Sequence, residues 1–149
     1  MSEHPERAIV RRAIDEQLTA LPVMTNPLAI LLNMRILAAR DAWVRIGYTP
    51  PECLTQGNQV VQGGIISAML DFGMIFAAFS KVPADATLAT VSQTTNYFRA
   101  ASMGELTVEA ELEKVGRRLI NARASLFGPD NVLLASASAP IAVIPLPRA

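Results

Sequence analysis

One histidine, one cysteine and one tryptophan occur in 149 residues, and aromatics make up only 5% of the chain. The lone Cys53 excludes an internal disulfide framework and fits a reducing cytoplasm. His4, the only imidazole, lies in a terminal segment expected to be mobile. Ser-His-Asp and Cys-His relays and histidine-based metal sites therefore lack their central residue, and no metal is expected. The 13 basic and 13 acidic side chains cancel, so bulk charge attracts neither nucleic acid nor an anionic membrane. Neither a P-loop nor a GxGxxG fingerprint is present. The first residues, MSEHPERAIVRR, lack the short apolar core of a signal peptide. Chemistry in this chain must run on carboxylates, hydroxyls, amides and backbone groups.

Apolar side chains make up 51% of the residues, enough for one sizeable core, and the length fits a single domain over 1–149. The most apolar stretch is Gly63–Ser80, GGIISAMLDFGMIFAAFS, with Asp71 its only charge. Its length and period predict a helix that is apolar nearly all round and hence buried. The stretch is long enough to raise the question of a membrane span, but a central Asp and a strand-rich remainder argue against one. A lone carboxylate in such a helix is costly unless it is paired, hydrogen-bonded or protonated. Sequences tolerate that cost mostly where chemistry needs it. At the helix start, Gly63 and Gly64 allow close approach to backbone N–H groups that have no partner inside the helix. Those donors, at the positive end of the dipole, suit an oxyanion.

Along the chain, residues 6–20 carry Ile9, Ala13, Ile14 and Leu18 at helical spacing and predict an amphipathic helix, part of an N-terminal extension over 1–27. A loop with a short helical turn near Leu28–Leu32 follows. Two short strands are expected over Met34–Tyr48, broken near Arg40-Asp41 and ended by Pro50-Pro51. Residues 52–62 form a polar loop that feeds the long helix. Beyond Lys81 and Pro83 come four strand segments joined by short turns: Ala89–Arg99, Glu105–Lys114, Arg118–Phe127 and Val132–Ile144. In the second, Leu106, Val108, Ala110 and Leu112 share a face; in the third, Ile120, Ala122, Ala124 and Leu126 do. Helix, strand pair, buried helix and a four-stranded meander predict an α+β architecture, a curved antiparallel sheet wrapped around one helix. Its free sheet edge invites a second subunit.

Strand pair, loop, a Gly-Gly helix start with an acid eight residues after the first glycine, and then strands together resemble the hotdog-fold acyl-CoA thioesterases of the phenylacetate-pathway (PaaI-like) type. The similarity runs from Leu28 to Ile144. The family's H-G-G-x-x-x-x-L-x-D appears here as Gln62-Gly63-Gly64-Ile65-Ile66-Ser67-Ala68-Met69-Leu70-Asp71. TVSQTTNYFRAASMGELTVEAELEKVGRRL is similar to the family's following strand, turn and G-R-R stretch.

The resemblance implies hydrolysis of an acyl-CoA, with a medium-chain or aromatic acyl group, to free acid and CoA. CoA enters only as part of the substrate, and no cofactor is implied. Asp71 matches the catalytic carboxylate, as general base or as nucleophile. The Gly63 N–H would polarise the carbonyl. Gln56 matches an orienting amide, a role that Asn58 can replace because this loop departs from the usual spacing. Thr90 aligns with a hydroxyl that holds the attacking water, expected from the partner subunit. Gln62 and Gly64 flank the anion site, and Arg99, Gly116, Arg117 and Arg118 lie where relatives contact CoA. The main departure is Gln62, which can donate and accept hydrogen bonds but cannot become a cation. Homodimers or homotetramers with sites at the dimer interface are implied. Two alternatives remain open: a non-catalytic acyl-CoA-binding protein and a hotdog hydratase or dehydratase.

Overall fold

One long helix lies against a curved antiparallel sheet, and the sequence accounts for most of that arrangement. The structure, a computed structural model, describes residues 3–147. In chain order its elements are α1 (Pro5–Asp15), β1 (Leu21–Pro22), α2 (Pro27–Leu31), β2 (Arg35–Arg40), β3 (Trp43–Tyr48), α3 (Gly63–Phe79), β4 (Ala86–Thr90), β5 (Thr94–Tyr97), β6 (Leu106–Val115), β7 (Leu119–Phe127) and β8 (Leu133–Pro145). The eight strands form one sheet in the order β1-β2-β3-β6-β7-β8-β4, with β5 also on β8. This is the α+β hotdog architecture expected from the sequence.

Burial follows the predicted alternation. Leu106, Val108 and Ala110 of β6 and Ile120, Ala122, Ala124 and Leu126 of β7 are buried. They meet Met69, Met74, Phe76 and Ala77 of α3 in one core. Gly73 lets the helix come close to the sheet, since a Cβ there would sit 2.7 Å from Val108 Cγ1.

Four details differ from expectation. Of the expected four-stranded meander, β6-β7-β8 holds, but the first segment does not join β6, because β4 and β5 pair with β8 at the far edge while β6 joins β3. The chain between β5 and β6 crosses under the polar loop, where Val61 N–H donates to Ala101 O at 2.8 Å. The single strand expected over Ala89–Arg99 is two strands. Thr90 pairs with Ile141 and Thr94 with Ser138, so three residues on one side face two on the other, and Pro140 has no N–H to continue the ladder. Helix α1 ends at Asp15 rather than near residue 20, and Gln17 and Ala20 adopt positive φ. Finally, α3 is not buried all round. Gly64 is exposed and Ala68, Asp71, Phe72 and Ile75 are only half-buried, a stripe down one face.

The N-terminal segment is pinned to the C-terminal end of α3. Arg7 Nε donates to Val82 O at 2.8 Å, and Arg11 reaches Ser80 O and Asp41 Oδ1, each at 3.1 Å. Cationic side chains on the last carbonyls of a helix are favourable. The buried Ser80 Oγ accepts from Ala42 N–H at 2.7 Å and so ties the β2–β3 turn to the same end. Among the described residues, no helix is long and apolar enough to cross a membrane.

Candidate active site

Asp71 projects from the middle of α3 on its open face. Thr90, the last residue of β4, donates from Oγ1 to Asp71 Oδ1 at 2.6 Å, a charge-assisted hydrogen bond within one chain. Thr90 thus lies beside Asp71 on the same subunit, where the sequence had suggested the partner's. The pair sits in a cleft of about 290 Å³ lined by Phe72, Ile75, Phe79 and Leu88, with His4, Glu6 and Asn26 also on its wall. Behind the carboxylate, the fully buried Tyr48 donates its hydroxyl to Met69 O at 2.9 Å. Burial, and then the negative charge of Asp71, hold the Tyr48 hydroxyl well above the usual tyrosine range, so it stays protonated.

The N-terminal end of α3 is open. Gly64 is exposed, and a Cβ there would meet no atom within 4 Å. At Gly63 a Cβ would make only ordinary contact with the Tyr97 ring, 3.5 Å away. Packing within the chain therefore does not demand either glycine. Gln62 is the N-cap residue, but its side chain is exposed and makes no capping hydrogen bond. Gln56 and Asn58 are both exposed, and Gln56 Oε1 accepts from the Asn58 N–H at 3.2 Å, which shapes the loop before the helix.

Gly63 and Asp71 are eight residues apart on one helix, roughly 12 Å along the axis. One chain does not bring both to a single carbonyl. The arginines are split in the same way. Arg99 N–H donates to Leu134 O, while Val143 N–H donates to Arg118 O. These anchor points lie nine positions apart on β8, roughly 30 Å. Arg99 belongs to the Gly63 end of α3. Gly116 and Arg117 line a separate cleft with Lys81 and Asp85 at the other end, and Arg118 adjoins it.

The sequence reading missed two groups. Ser67 lies one turn from both Gly63 and Asp71, and its Oγ bonds Tyr97 Oη at 2.5 Å, while Tyr97 Oη donates to Gly63 O at 3.1 Å. Gln93 Nε2 donates to Ser67 O and Thr95 Oγ1, at 3.0 and 2.9 Å. This network fixes the first turns of α3 against β5, and the i, i+4 spacing of Gly63, Ser67 and Asp71 was its only sequence signal. The second group is the N-terminal segment. His4 caps α1 and packs on Phe79 with ring centroids 4.8 Å apart, where the sequence suggested mobility. Trp43 stays outside the cleft, with the Arg40 guanidinium 4.0 Å from its ring centroid. Cys53 is exposed and free.

Comparison with known proteins bears on this geometry. No curated protein matches the chain. Several solved structures share the fold. A thioesterase family protein from Silicibacter pomeroyi superposes with a TM-score of 0.79 at 24% identity, covering 94% of this chain and 98% of the other. A putative thioesterase from Ralstonia eutropha, described as phenylacetic acid degradation-related, gives 0.78 at 24% identity, covering 93% and 99%. The PaaI protein of the E. coli phenylacetic acid degradation operon gives 0.76 at 16% identity, covering 93% and 94%. The thioesterase superfamily model matches residues 58–135, which run from the loop before α3 to β8 and include Gly63, Asp71 and Thr90. With that match over more than half its length, the chain belongs to the thioesterase superfamily and is a thioester hydrolase.

Proposed function

We propose that this protein hydrolyses acyl-CoA thioesters with medium-chain or aromatic acyl groups, in the cytoplasm, using Asp71 as the general base. The observation that carries the proposal is the Thr90–Asp71 hydrogen bond at the head of an apolar cleft. The Thr90 hydroxyl occupies Oδ1 and leaves Oδ2 to take a proton from water. The resulting hydroxide adds to the thioester carbonyl, and the oxyanion is held by the Gly63 N–H, with Gly64 leaving the approach clear. Collapse of the adduct breaks the C–S bond, and the proton taken up by Asp71 passes to the departing thiolate, giving the free acid and the CoA thiol. Phe72, Ile75 and Leu88 would flank the acyl group.

This reading needs two chains, because the Asp71 of one subunit lies too far from its own Gly63. A two-fold axis that sets two α3 helices antiparallel brings the partner subunit's Gly63 towards Asp71. It also brings Arg99 of one chain towards Arg117 and Arg118 of the other, where the CoA phosphates would lie. The half-buried stripe of α3 and the edge of β4 and β5 supply the surface. Val91, Tyr97 and Phe98 there are 62%, 51% and 56% exposed. Gln56 or Asn58 would orient the carbonyl, and Gln62 would serve the helix start without donating a proton.

The test is thiol release from a panel of short, medium and aromatic acyl-CoAs. Asp71→Asn should lower turnover at least ~100-fold while the fold is kept. Unchanged turnover in that variant would sink the assignment of Asp71.

A further inference from the structure

The start of α3 is tethered from its carbonyl side. A helix start is commonly fixed by a capping side chain that accepts from the free N–H groups of the first turn. Gln62 stands at the capping position and makes no such bond. Gly63 and Gly64 follow, the most flexible pair a backbone can have. The Ile65 and Ile66 N–H groups both donate to Gln62 O, at 2.9 and 3.1 Å. Among the described residues, the Gly63 and Gly64 N–H groups have no acceptor. Order reaches these two residues through Tyr97 of β5. Its hydroxyl donates to Gly63 O at 3.1 Å, and Ser67 Oγ lies 2.5 Å from the same oxygen. A phenol carries a single proton, so with Tyr97 donating to Gly63, Ser67 donates to Tyr97. Gln93, just before β5, completes the join, since its Nε2 donates to Ser67 O and Thr95 Oγ1 at 3.0 and 2.9 Å. The Gly63 carbonyl and the Gly64 N–H belong to one planar peptide. A hydrogen bond to that oxygen therefore fixes the direction of the N–H and, by polarisation, strengthens it as a donor.

A capping side chain and an oxyanion compete for the same N–H groups. A tether on the carbonyl orders the turn and leaves those donors to the substrate. We infer that Tyr97 is a positioning residue for the reaction: its hydroxyl, aligned by Ser67, fixes the Gly63–Gly64 peptide and with it the donors that face the developing oxyanion. The inference rests on the acyl-CoA reading above and deepens it, by assigning what holds the anion donors in place. Preorganised donors act on charge that exists only in the transition state. Loss of the tether should therefore lower kcat and leave KM nearly unchanged.

Tyr97→Phe keeps the ring beside Gly63 and removes only the hydroxyl. With the full chain, and with sedimentation matching wild type, thiol release from a medium-chain acyl-CoA should show kcat lowered about tenfold and KM within about twofold. Ser67→Ala should lower kcat by less, and the double variant should match Tyr97→Phe, because both act through one bond. Gln62→Asn places a strong capping side chain before the helix. Added to Tyr97→Phe, it should return the melting temperature towards wild type and leave kcat low, since the cap occupies the donors. Recovery of kcat along with the melting temperature would overturn the proposal, and so would a raised KM with kcat unchanged. Asp71→Asn, assayed in parallel, separates the two readings. If that variant is inactive while Tyr97→Phe keeps wild-type kcat, the tether is wrong and the general-base reading stands. If wild type turns over no thioester, amide spectra of protein carrying isotope-labelled glycine decide, with only 8 glycines to resolve. A displaced and less ordered Gly64 N–H in Tyr97→Phe would support the tether while the hydrolytic reading fell. An unchanged Gly64 N–H would overturn the tether.

Discussion

Thr90→Val separates a hydroxyl that works through Asp71 from one that works alone. Valine has nearly the shape of threonine and keeps the β preference, and the backbone pairing of residue 90 with Ile141 does not use the side chain. The substitution therefore removes one hydrogen bond, the 2.6 Å contact to Asp71 Oδ1. A hydrogen bond to a charged group is worth about 1.5–3 kcal/mol, and the half-buried position of Asp71 favours the lower part of that range. At 1.36 kcal/mol per decade, kcat should fall roughly 10- to 50-fold. Asp71→Asn should cost at least ~100-fold. The double variant decides the issue. If Thr90 acts by fixing Asp71, removing it after the carboxylate has gone costs little, and the double variant should match Asp71→Asn within about threefold. Initial rates of thiol release on one acyl-CoA supply all four corners of the cycle. Multiplicative losses would refute the reasoning and place Thr90 directly on the substrate or the water.

Tyr48→Phe should cost about 1 kcal/mol at neutral pH, the worth of its hydrogen bond to Met69 O. Because burial raises the folded-state pKa of Tyr48, the folded protein holds a proton that the unfolded chain loses above about pH 10. Wild-type stability is therefore complete below about pH 10 and falls as pH rises towards the folded value, while Tyr48→Phe should fall less steeply in urea titrations at pH 8–11. Equal slopes would exclude this linkage. Gly73→Ala should lower the melting temperature by a few degrees, because overpacking against Val108 at about 1–3 kcal/mol exceeds the gain of about 1 kcal/mol in helix propensity. Phe98→Lys places a charge on the exposed edge and should shift sedimentation towards the monomer, with activity falling in parallel.

The fold was legible where local chemistry and global packing agree. Alternation in β6 and β7 marks their buried faces directly, and the Gly63–Phe79 run marks the central helix to within a residue. The placement of β4 and β5 was not legible. It depends on which strand edge remains free once β3 has taken β6, and on Pro140 interrupting a ladder from the opposite strand, neither of which is local information. At the site, Asp71 and the Gly63 N–H groups stood out because a charge and a glycine pair are conspicuous in an apolar helix. Ser67, Gln93 and Tyr97 did not, since each is an ordinary residue in its own element and acquires a role only when β5 lies against α3. His4 was set aside for its position near the chain start. The clues that it is anchored were Pro5 at the first helical position and Arg7 and Arg11 on one face, which hold α1 to the end of α3.

The proposed mechanism takes the acid from one chain and the anion donor from the other, and this has a quantitative signature. Gly63→Pro removes the proposed oxyanion donor with little harm to the fold. Proline is favoured at the first position of a helix, and Gln62 already has the extended backbone, φ −57° and ψ 136°, that precedes proline. Asp71→Asn removes the base and leaves the glycine intact. Each variant alone should be inactive. Unfolded together and refolded, they form heterodimers that pair the intact Asp71 of one chain with the intact Gly63 of the other at one of the two sites. Random pairing makes about half of the dimers mixed, with half of their sites intact, so the mixture should recover about a quarter of wild-type activity. A site contained within one chain predicts no recovery at all, because each chain would then carry its own defect. Recovery near one quarter, measured as thiol release after co-refolding, requires the acid and the anion hole to come from different subunits.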